Sequence, residues 1–225
     1  MNTTHRNTQD TRLLEALAAG NSSTRLKAAL AAGTHPDAGD VDVLVERCAV
    51  EPDFFVRDML TWALTRHPAE VTVPKLRAEL RSGRAQARSQ AVHTLSKIGD
   101  RTVWPAITRS LLRDADDEVA RSAWRAAVVL VPEEEKDGLA AELATQFGRG
   151  DREVQLSLSR ALVALGEVAE PVVRTATASR DPEVSAHAAA TERLLHDPDA
   201  GFDLAVDAAR RVAALGPDRE ETTAC

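Results

Sequence analysis

The 225-residue sequence has no tyrosine, four phenylalanines, three tryptophans and two cysteines. Two cysteines exclude a disulfide-based scaffold, and they cannot supply the ligand spacing of a structural zinc site. An aromatic content of only 3% disfavours an all-β fold, because strands are enriched in aromatic and β-branched side chains. The chain is rich instead in alanine and leucine, which are the residues of closely packed helices.

Long apolar runs are lacking as well. Residues 1–10 are polar and do not resemble a secretory signal, and no stretch approaches the roughly 18 apolar residues of a membrane helix. A hydrophobic content of 44% with a net charge of −7 is typical of a folded chain rather than a disordered one. We therefore expect a cytoplasmic protein without a membrane segment.

One pattern recurs about every 31 residues. It follows a turn, starts at a Val or Ala, and places mostly small or apolar residues 4, 7, 8 and 11 positions later. The starting residues of the five copies are Val56, Ala87, Val119, Val154 and Val184. These spacings lie on one face of an α-helix, so each copy predicts a helix with one buried face. Position +n denotes the nth residue after the starting residue of a copy.

A shorter apolar segment precedes each of these helices and predicts a first helix for every pair. The segments are Val41–Cys48, Val71–Arg81, Val103–Leu112, Gly138–Phe147 and Val168–Thr177. Three of them contain a proline (Pro74, Pro105 or Pro171), which we expect in the first helical turn, where a missing N–H has no cost. The acidic residues expected to cap helix N-termini are Asp53, Asp116, Asp151 and Asp181.

A single helix pair cannot bury its own apolar face, and stacking of successive pairs completes the burial. We therefore predict an all-α fold, a right-handed α-solenoid of about six stacked antiparallel helix pairs. The predicted domain covers residues 11–215 and ends in a capping helix at 201–215. Disordered tails are expected at 1–10 and 216–225.

The segments VPKLRAELRSGRAQARSQAVHTLSKIGD (73–100) and WPAITRSLLRDADDEVARSAWRAAVVL (104–130) carry a family resemblance. They resemble HEAT repeats of the short bacterial kind, also called PBS-lyase-like repeats. The chain is similar in this respect to small HEAT-repeat proteins of high-GC bacteria, and the resemblance covers roughly residues 11–196. It implies an armadillo-type helical array, and it implies no single activity, because such arrays serve unrelated functions.

Enzymes with HEAT-like folds have recognisable sequence features. Deoxyhypusine hydroxylase holds two irons through His-Glu dipeptides, and this chain has none among its six histidines, so we expect no metal and no cofactor. Bilin lyases present aromatic-rich inner surfaces, which a chain without tyrosine supports poorly. We therefore expect that this protein is not an enzyme.

DNA binding, or an alkylbase DNA glycosylase of the HEAT-like kind, is the main alternative. Residues 66–113 contain ten Lys or Arg against three acidic residues, a net charge of +7. A basic patch of that size can meet phosphates, and a glycosylase would also need stacking aromatics, for which Trp62, Trp104 and Trp124 are available. The candidate patch residues are Lys75, Arg77, Arg81, Arg84 and Arg88.

The candidate binding surface is the face opposite the buried stripe, where positions +2, +6 and +9 point. Position +6 carries a tryptophan, a histidine and two arginines in successive repeats, and Trp and Arg are frequent anchors of protein interfaces. The candidate residues are Asp58, Trp62, His93, Arg121, Arg125, Leu156 and Arg160. Leu156, with Val128 and Val163, is expected to add exposed apolar area. We expect a non-enzymatic scaffold or adaptor that binds an acidic protein or peptide on this concave face.

Overall fold

The computed structural model describes residues 12–197, which form helices joined by short turns and no strands. Within these residues the contacts divide at Leu130 into two compact units. Residues 12–17 are helical and are labelled α1. The other helices of the first unit are α2 (Ser22–Thr34), α3 (Val41–Cys48), α4 (Phe54–Arg66), α5 (Ala69–Glu79), α6 (Ala85–Ile98), α7 (Arg109–Leu112) and α8 (Asp117–Leu130).

The second unit repeats the alternation of a shorter and a longer helix. Its helices are α9 (Lys136–Ala144), α10 (Arg152–Leu165), α11 (Glu170–Thr177) and α12 (Pro182–His196). Short 3₁₀ turns precede several helices of both units, at Ala38–Asp40, Arg101–Ala106, Glu133–Glu135 and Gly166–Ala169. The described residues are thus all-helical, as the composition predicts.

The four expected aspartates cap α4, α8, α10 and α12, whereas Asn21 caps α2 and no side chain caps α6. The Asp53 carboxylate accepts from the N–H groups of Phe55 and Val56, at 2.9 and 3.1 Å. Asp116, Asp151 and Asp181 accept from N–H groups of the first turn in the same way. Each cap satisfies donors that have no partner inside the helix and contributes about 1 kcal/mol.

In the first unit the longer helices lie side by side in chain order, α2 on α4, α4 on α6 and α6 on α8. The shorter helices α3, α5 and α7 each contact the longer helix that follows them. The starting residues Val56, Ala87 and Val119 are buried, and so are the residues at +4 and +8 in α4, α6 and α8. The spacing therefore identified the buried face of these helices.

In the second unit α12 contacts both α10 and α11. The α10 stripe is buried at Val154, Leu158 and Leu162. Leu156 and Val163, expected to be exposed, pack against Ala190 and Leu194 of α12 instead. That prediction was wrong because +2 and +9 lie at the edges of the buried stripe, where a neighbouring helix can cover them.

Proline positions also differ from the prediction. Residues 103–112 do not form one helix: a 3₁₀ turn contains Pro105, Thr108 is extended, and only Arg109–Leu112 is α-helical. Pro105 has no backbone N–H to donate, and in an α-helix its ring would clash with the carbonyl of Arg101, which explains why residues 101–106 form a 3₁₀ turn and not part of one continuous α-helix. Pro74 lies at the sixth position of α5 rather than in its first turn, because that helix begins earlier, at Ala69. Pro171 is in the first turn of α11, as predicted.

Among residues 12–197, no helix combines the length and the apolarity needed to cross a membrane. The predicted tails and the predicted capping helix at 201–215 lie outside the described residues.

Candidate functional site

A groove of about 570 Å³ opens along α4, α6 and α8 in the first unit. Its lining residues are Phe54, Arg57, Asp58, Ser89, Gln90, His93, Lys97, Glu118, Arg121, Ser122 and Arg125. Five of them occupy the predicted +2 and +6 positions of the three helices. The helical period therefore brings Asp58, His93, Arg121 and Arg125 to one place, together with Ser89.

The floor of the groove is polar and links two helices. The hydroxyls of Ser89 (α6) and Ser122 (α8) lie 3.0 Å apart, within hydrogen-bond distance. Outside the groove lining, the hydroxyls of Thr61 (α4) and Thr94 (α6) lie 3.4 Å apart and are both buried. These contacts link α4 to α6 and α6 to α8 and fix the register of neighbouring helices.

The groove carries more positive than negative charge. Four cationic side chains line it against two carboxylates, and one of those carboxylates, Glu118, is engaged by Arg121 at 2.8 Å. Asp58 is exposed. An acidic ligand therefore meets a net attraction here, although the whole chain has a charge of −7.

Arg125 is held in place without being neutralised. Its Nη2 donates to the Ser122 hydroxyl at 3.1 Å, and it forms no ion pair with any residue from 12 to 197. Burial of part of the side chain, reinforced by the nearby Arg121, lowers its pKa against the opposing effect of Glu118.

His93 lies between cations in the middle of the groove. Burial lowers its pKa, and the charges of Lys97 and Arg125 lower it further, while Asp58 opposes them. The ring is therefore neutral at pH 7, and its protonation in acid adds positive charge to the groove.

Two exposed phenylalanines lie next to each other, and the first of them, Phe54, lines the groove. Phe54 and Phe55 are 65% and 71% exposed and meet edge to face, with 5.6 Å between ring centroids. The Arg57 guanidinium lies 5.9 Å from the Phe54 ring centroid. Exposed adjacent phenylalanines are unusual in a chain with only four, and large exposed apolar groups commonly mark interaction sites. Their position between the Asp53 cap and Val56 could have identified them from the sequence.

The structure separates Trp62 from the other +6 residues of the first unit. Trp62 is 38% exposed and does not line the groove. Its ring lies directly over Gly33 of α2, where an added Cβ would collide with the indole. Trp62 thus fills a contact between neighbouring repeats. Leu156 and Arg160 belong to the second unit, where Leu156 is partly buried against α12 and Arg160 is exposed.

The five residues of the predicted basic patch do not form one free surface. Lys75 forms an ion pair with Asp42, and Arg88 forms two hydrogen bonds with the Asp114 carboxylate, at 2.9 and 3.0 Å. Arg77 and Arg81 line a second depression of about 490 Å³ beside α5 and α7. Arg84 is exposed elsewhere, beside α3 and α5.

The other two tryptophans do not line the groove either. Trp124 is fully buried, and its Nε1 donates to the Leu112 carbonyl at 2.8 Å, so it cannot stack on an extruded base. Trp104 is half-buried. Among residues 12–197 no three His, Cys, Asp or Glu side chains come together as metal ligands.

No family model matches the chain, and no curated protein matches it. Among solved structures, the chain is similar to the crystal structure of an engineered protein, with 22% identity and a TM-score of 0.45. The match covers 83% of this chain and 96% of that one.

Proposed function

We propose that the protein is a non-enzymatic binding protein that holds an acidic segment of a partner protein in the groove of α4, α6 and α8. Under this proposal its helix pairs are HEAT-like repeats of a right-handed α-solenoid, with the groove on the concave side. The alternation of shorter and longer helices, and the side-by-side contacts of α2, α4, α6 and α8, support that architecture.

The observation that carries the proposal is a set of cations held in the groove without acidic partners. Arg57 and Arg125 are fixed by hydrogen bonds to carbonyl or hydroxyl groups, and neither forms an ion pair with a residue from 12 to 197. Because their positions are already fixed, a ligand carboxylate gains the interaction without the full entropic cost of ordering two long side chains. The exposed Phe54 and Phe55 supply the apolar contact that charge alone lacks.

The groove size fits a peptide segment. A volume of about 570 Å³, open along three helices, accommodates a few side chains of an extended or helical segment. Because the groove contains both carboxylates and cations, it favours a ligand whose charged groups are arranged in a matching pattern over a ligand that is only negative.

Selection from a phage-displayed library of random peptides tests the proposal and needs no candidate partner. We expect enrichment of peptides that combine Asp or Glu with apolar residues, and binding that weakens with salt. Arg125→Glu should reduce the affinity of the selected peptides at least tenfold, because it reverses a charge inside the groove.

Arg77→Glu is the matched control, since it makes the same charge change on another face of the first unit. Circular dichroism should show both variants as helical as the parent. Selection of no acidic peptides, or equal losses in the two variants, would refute the proposal.

Nucleic-acid binding is a second candidate, supported by Arg77 and Arg81. These exposed arginines lie at the end of α5 and just beyond it, and share their depression with the hydroxyl-bearing Thr108 and Ser110. Fluorescence anisotropy with a 20-base-pair duplex at low salt tests it. Binding that is lost in Arg77→Glu and kept in Arg125→Glu would favour this candidate over the first.

A further inference from the structure

Three arginines occupy equivalent places near the starts of α2, α4 and α6. In each, Nη1 donates to the backbone carbonyl six residues earlier, at 2.8 to 3.0 Å. The pairs are Arg25 with Ala19, Arg57 with Glu51, and Arg88 with Ser82. The shared contact fixes each guanidinium in the same position relative to its own helix.

In two of the three repeats the remaining N–H groups bind a carboxylate from the next repeat. Arg25 donates through Nε and Nη2 to the two oxygens of Glu51, both at 2.8 Å. Arg88 donates through the same two nitrogens to Asp114, at 2.9 and 3.0 Å. Both are two-pronged pairs, the strongest geometry for an arginine and a carboxylate.

Ser82 stands where the third carboxylate would be. Its carbonyl accepts from Arg88 just as that of Glu51 accepts from Arg57. Its side chain accepts from the N–H group two residues later, at 3.4 Å, as the carboxylates of Glu51 and Asp114 also do. Ser82 is therefore the structural equivalent of the two acidic residues, with a shorter side chain and no charge.

Arg57 consequently has two donors directed at no carboxylate. Its Nη1 binds the carbonyls of Glu51 and Pro52, and its guanidinium lies near the Phe54 ring. Its Nε and Nη2 have no acceptor among residues 12–197. The side chain is partly exposed and lines the groove.

We propose that Arg57 binds the carboxylate of an Asp or Glu of the partner protein, which takes the place that Glu51 and Asp114 occupy for the other two arginines. An apolar residue next to this partner carboxylate contacts Phe54 and Phe55. This inference rests on the function proposed above and assigns its specificity to one side chain.

Ser82→Asp is the sharpest test, because it supplies the missing carboxylate from within the chain and removes no existing contact of Arg57. The probe is the peptide acetyl-Leu-Asp-Leu-amide, with acetyl-Leu-Asn-Leu-amide as its uncharged control. The readout is the ¹H–¹⁵N signal of the Arg57 Nε–H group during titration at low salt.

In the parent protein we expect the aspartate peptide to shift the Arg57 signal in a saturable way and the asparagine peptide to leave it unmoved. In Ser82→Asp the signal should start near the positions of the Arg25 and Arg88 signals, and peptide affinity should fall about tenfold. Ser110→Asp adds the same charge on another face and should leave the titration unchanged. An unmoved Arg57 signal in the parent, or an unaltered titration in Ser82→Asp, would overturn the inference.

The peptides selected from the library separate this inference from the proposed function. If Arg125→Glu abolishes their binding and Ser82→Asp does not, the groove binds acidic peptides and Arg57 is not the residue that holds them. If neither substitution matters, the proposed function fails together with the inference.

Discussion

Replacement of Glu51 by glutamine should destabilise the first unit by about 3 kcal/mol at pH 7. The Glu51 side chain is fully buried, between α3 and α4. It accepts hydrogen bonds from Arg25, from Arg47 and from the Asp53 N–H group, all at 2.8 to 2.9 Å. A glutamine of the same size keeps one acceptor, presents an NH₂ group to donors and leaves both arginines without their counter-charge.

The pKa of Glu51 supports this magnitude. Burial alone would raise it, but hydrogen bonds from Arg25, the Asp53 N–H and Arg47 outweigh burial and lower the pKa from 4.5 to about 2. At about 1.4 kcal/mol per unit, this lowering corresponds to at most about 3 kcal/mol. Partial exposure of Arg47 to water reduces the value somewhat.

The sign of the pH dependence follows from the lowered pKa. Glu51 contributes its full stabilisation above about pH 4.5 and loses it as the pH falls through about 2. The difference between the parent and Glu51→Gln should therefore shrink progressively between about pH 5 and pH 2.

Urea unfolding followed by circular dichroism at 222 nm measures the effect, at pH 7 and at several lower values. Glu46→Gln removes an exposed carboxylate from α3, the helix that precedes Glu51, and should change stability by less than about 0.5 kcal/mol. A Glu51→Gln variant as stable as Glu46→Gln would show that the buried ion pairs do not stabilise the unit.

Three further predictions concern other buried groups. Gly33→Ala should lower the free energy of unfolding by about 2 kcal/mol, because the new Cβ would lie 2.8 Å from the Ala63 Cα and collide with the Trp62 ring. Thermal unfolding measures the effect, and an unchanged melting temperature would contradict this contact. Burial is the main reason that the pKa of His187 is lowered to about 4. The second unit should therefore lose stability as the pH falls from about 6.5 to 4. Urea unfolding of His187→Gln should not show this pH dependence. Burial raises the pKa of the Cys48 thiol to about 12. In a Cys225→Ser background, Cys48 should therefore react with a thiol reagent only when the protein unfolds. Rapid reaction of the native protein would show that the thiol is accessible.

The sequence pattern predicted the helices and their buried faces well, because burial of a helix face requires a periodic spacing of small and apolar residues. Val119, Ala123 and Ala127 are all fully buried, as the +0, +4 and +8 positions predict. Aspartate caps were predictable for a similar reason, since a cap depends on residues next to it in the chain. The short helix at Arg109–Leu112 was not predicted, because the pattern did not weigh the effect of Pro105 on its neighbours.

The candidate site was predicted in part. Helical period alone brings His93 and Arg125 to one groove, but it cannot tell that Gly33 of an earlier helix leaves space for the Trp62 ring. The helical period also could not identify Arg57. Within a single helix, position +1 looks like an ordinary surface position. The role of that position appears only when contacts between successive repeats are compared.

The equivalence of Glu51, Ser82 and Asp114 illustrates the same limit. Glu51 follows Arg25 by 26 residues, and Asp114 follows Arg88 by 26 residues. Ser82 follows Arg57 by only 25 residues, so the spacing alone would have pointed to Gly83 as the equivalent position. Backbone hydrogen bonds resolve the one-residue difference, since the carbonyl of residue 82 is the one that Arg88 contacts.

The binding site can be located by mapping the ¹H–¹⁵N chemical shifts that a library-selected acidic peptide causes. If the peptide binds in the groove, the largest shifts fall on groove residues of α4, α6 and α8, including Asp58, His93 and Arg125, and they vanish in Arg125→Glu. Shifts centred on Arg77 and Arg81, or confined to residues 131–197, would contradict the assignment of this groove as the binding site.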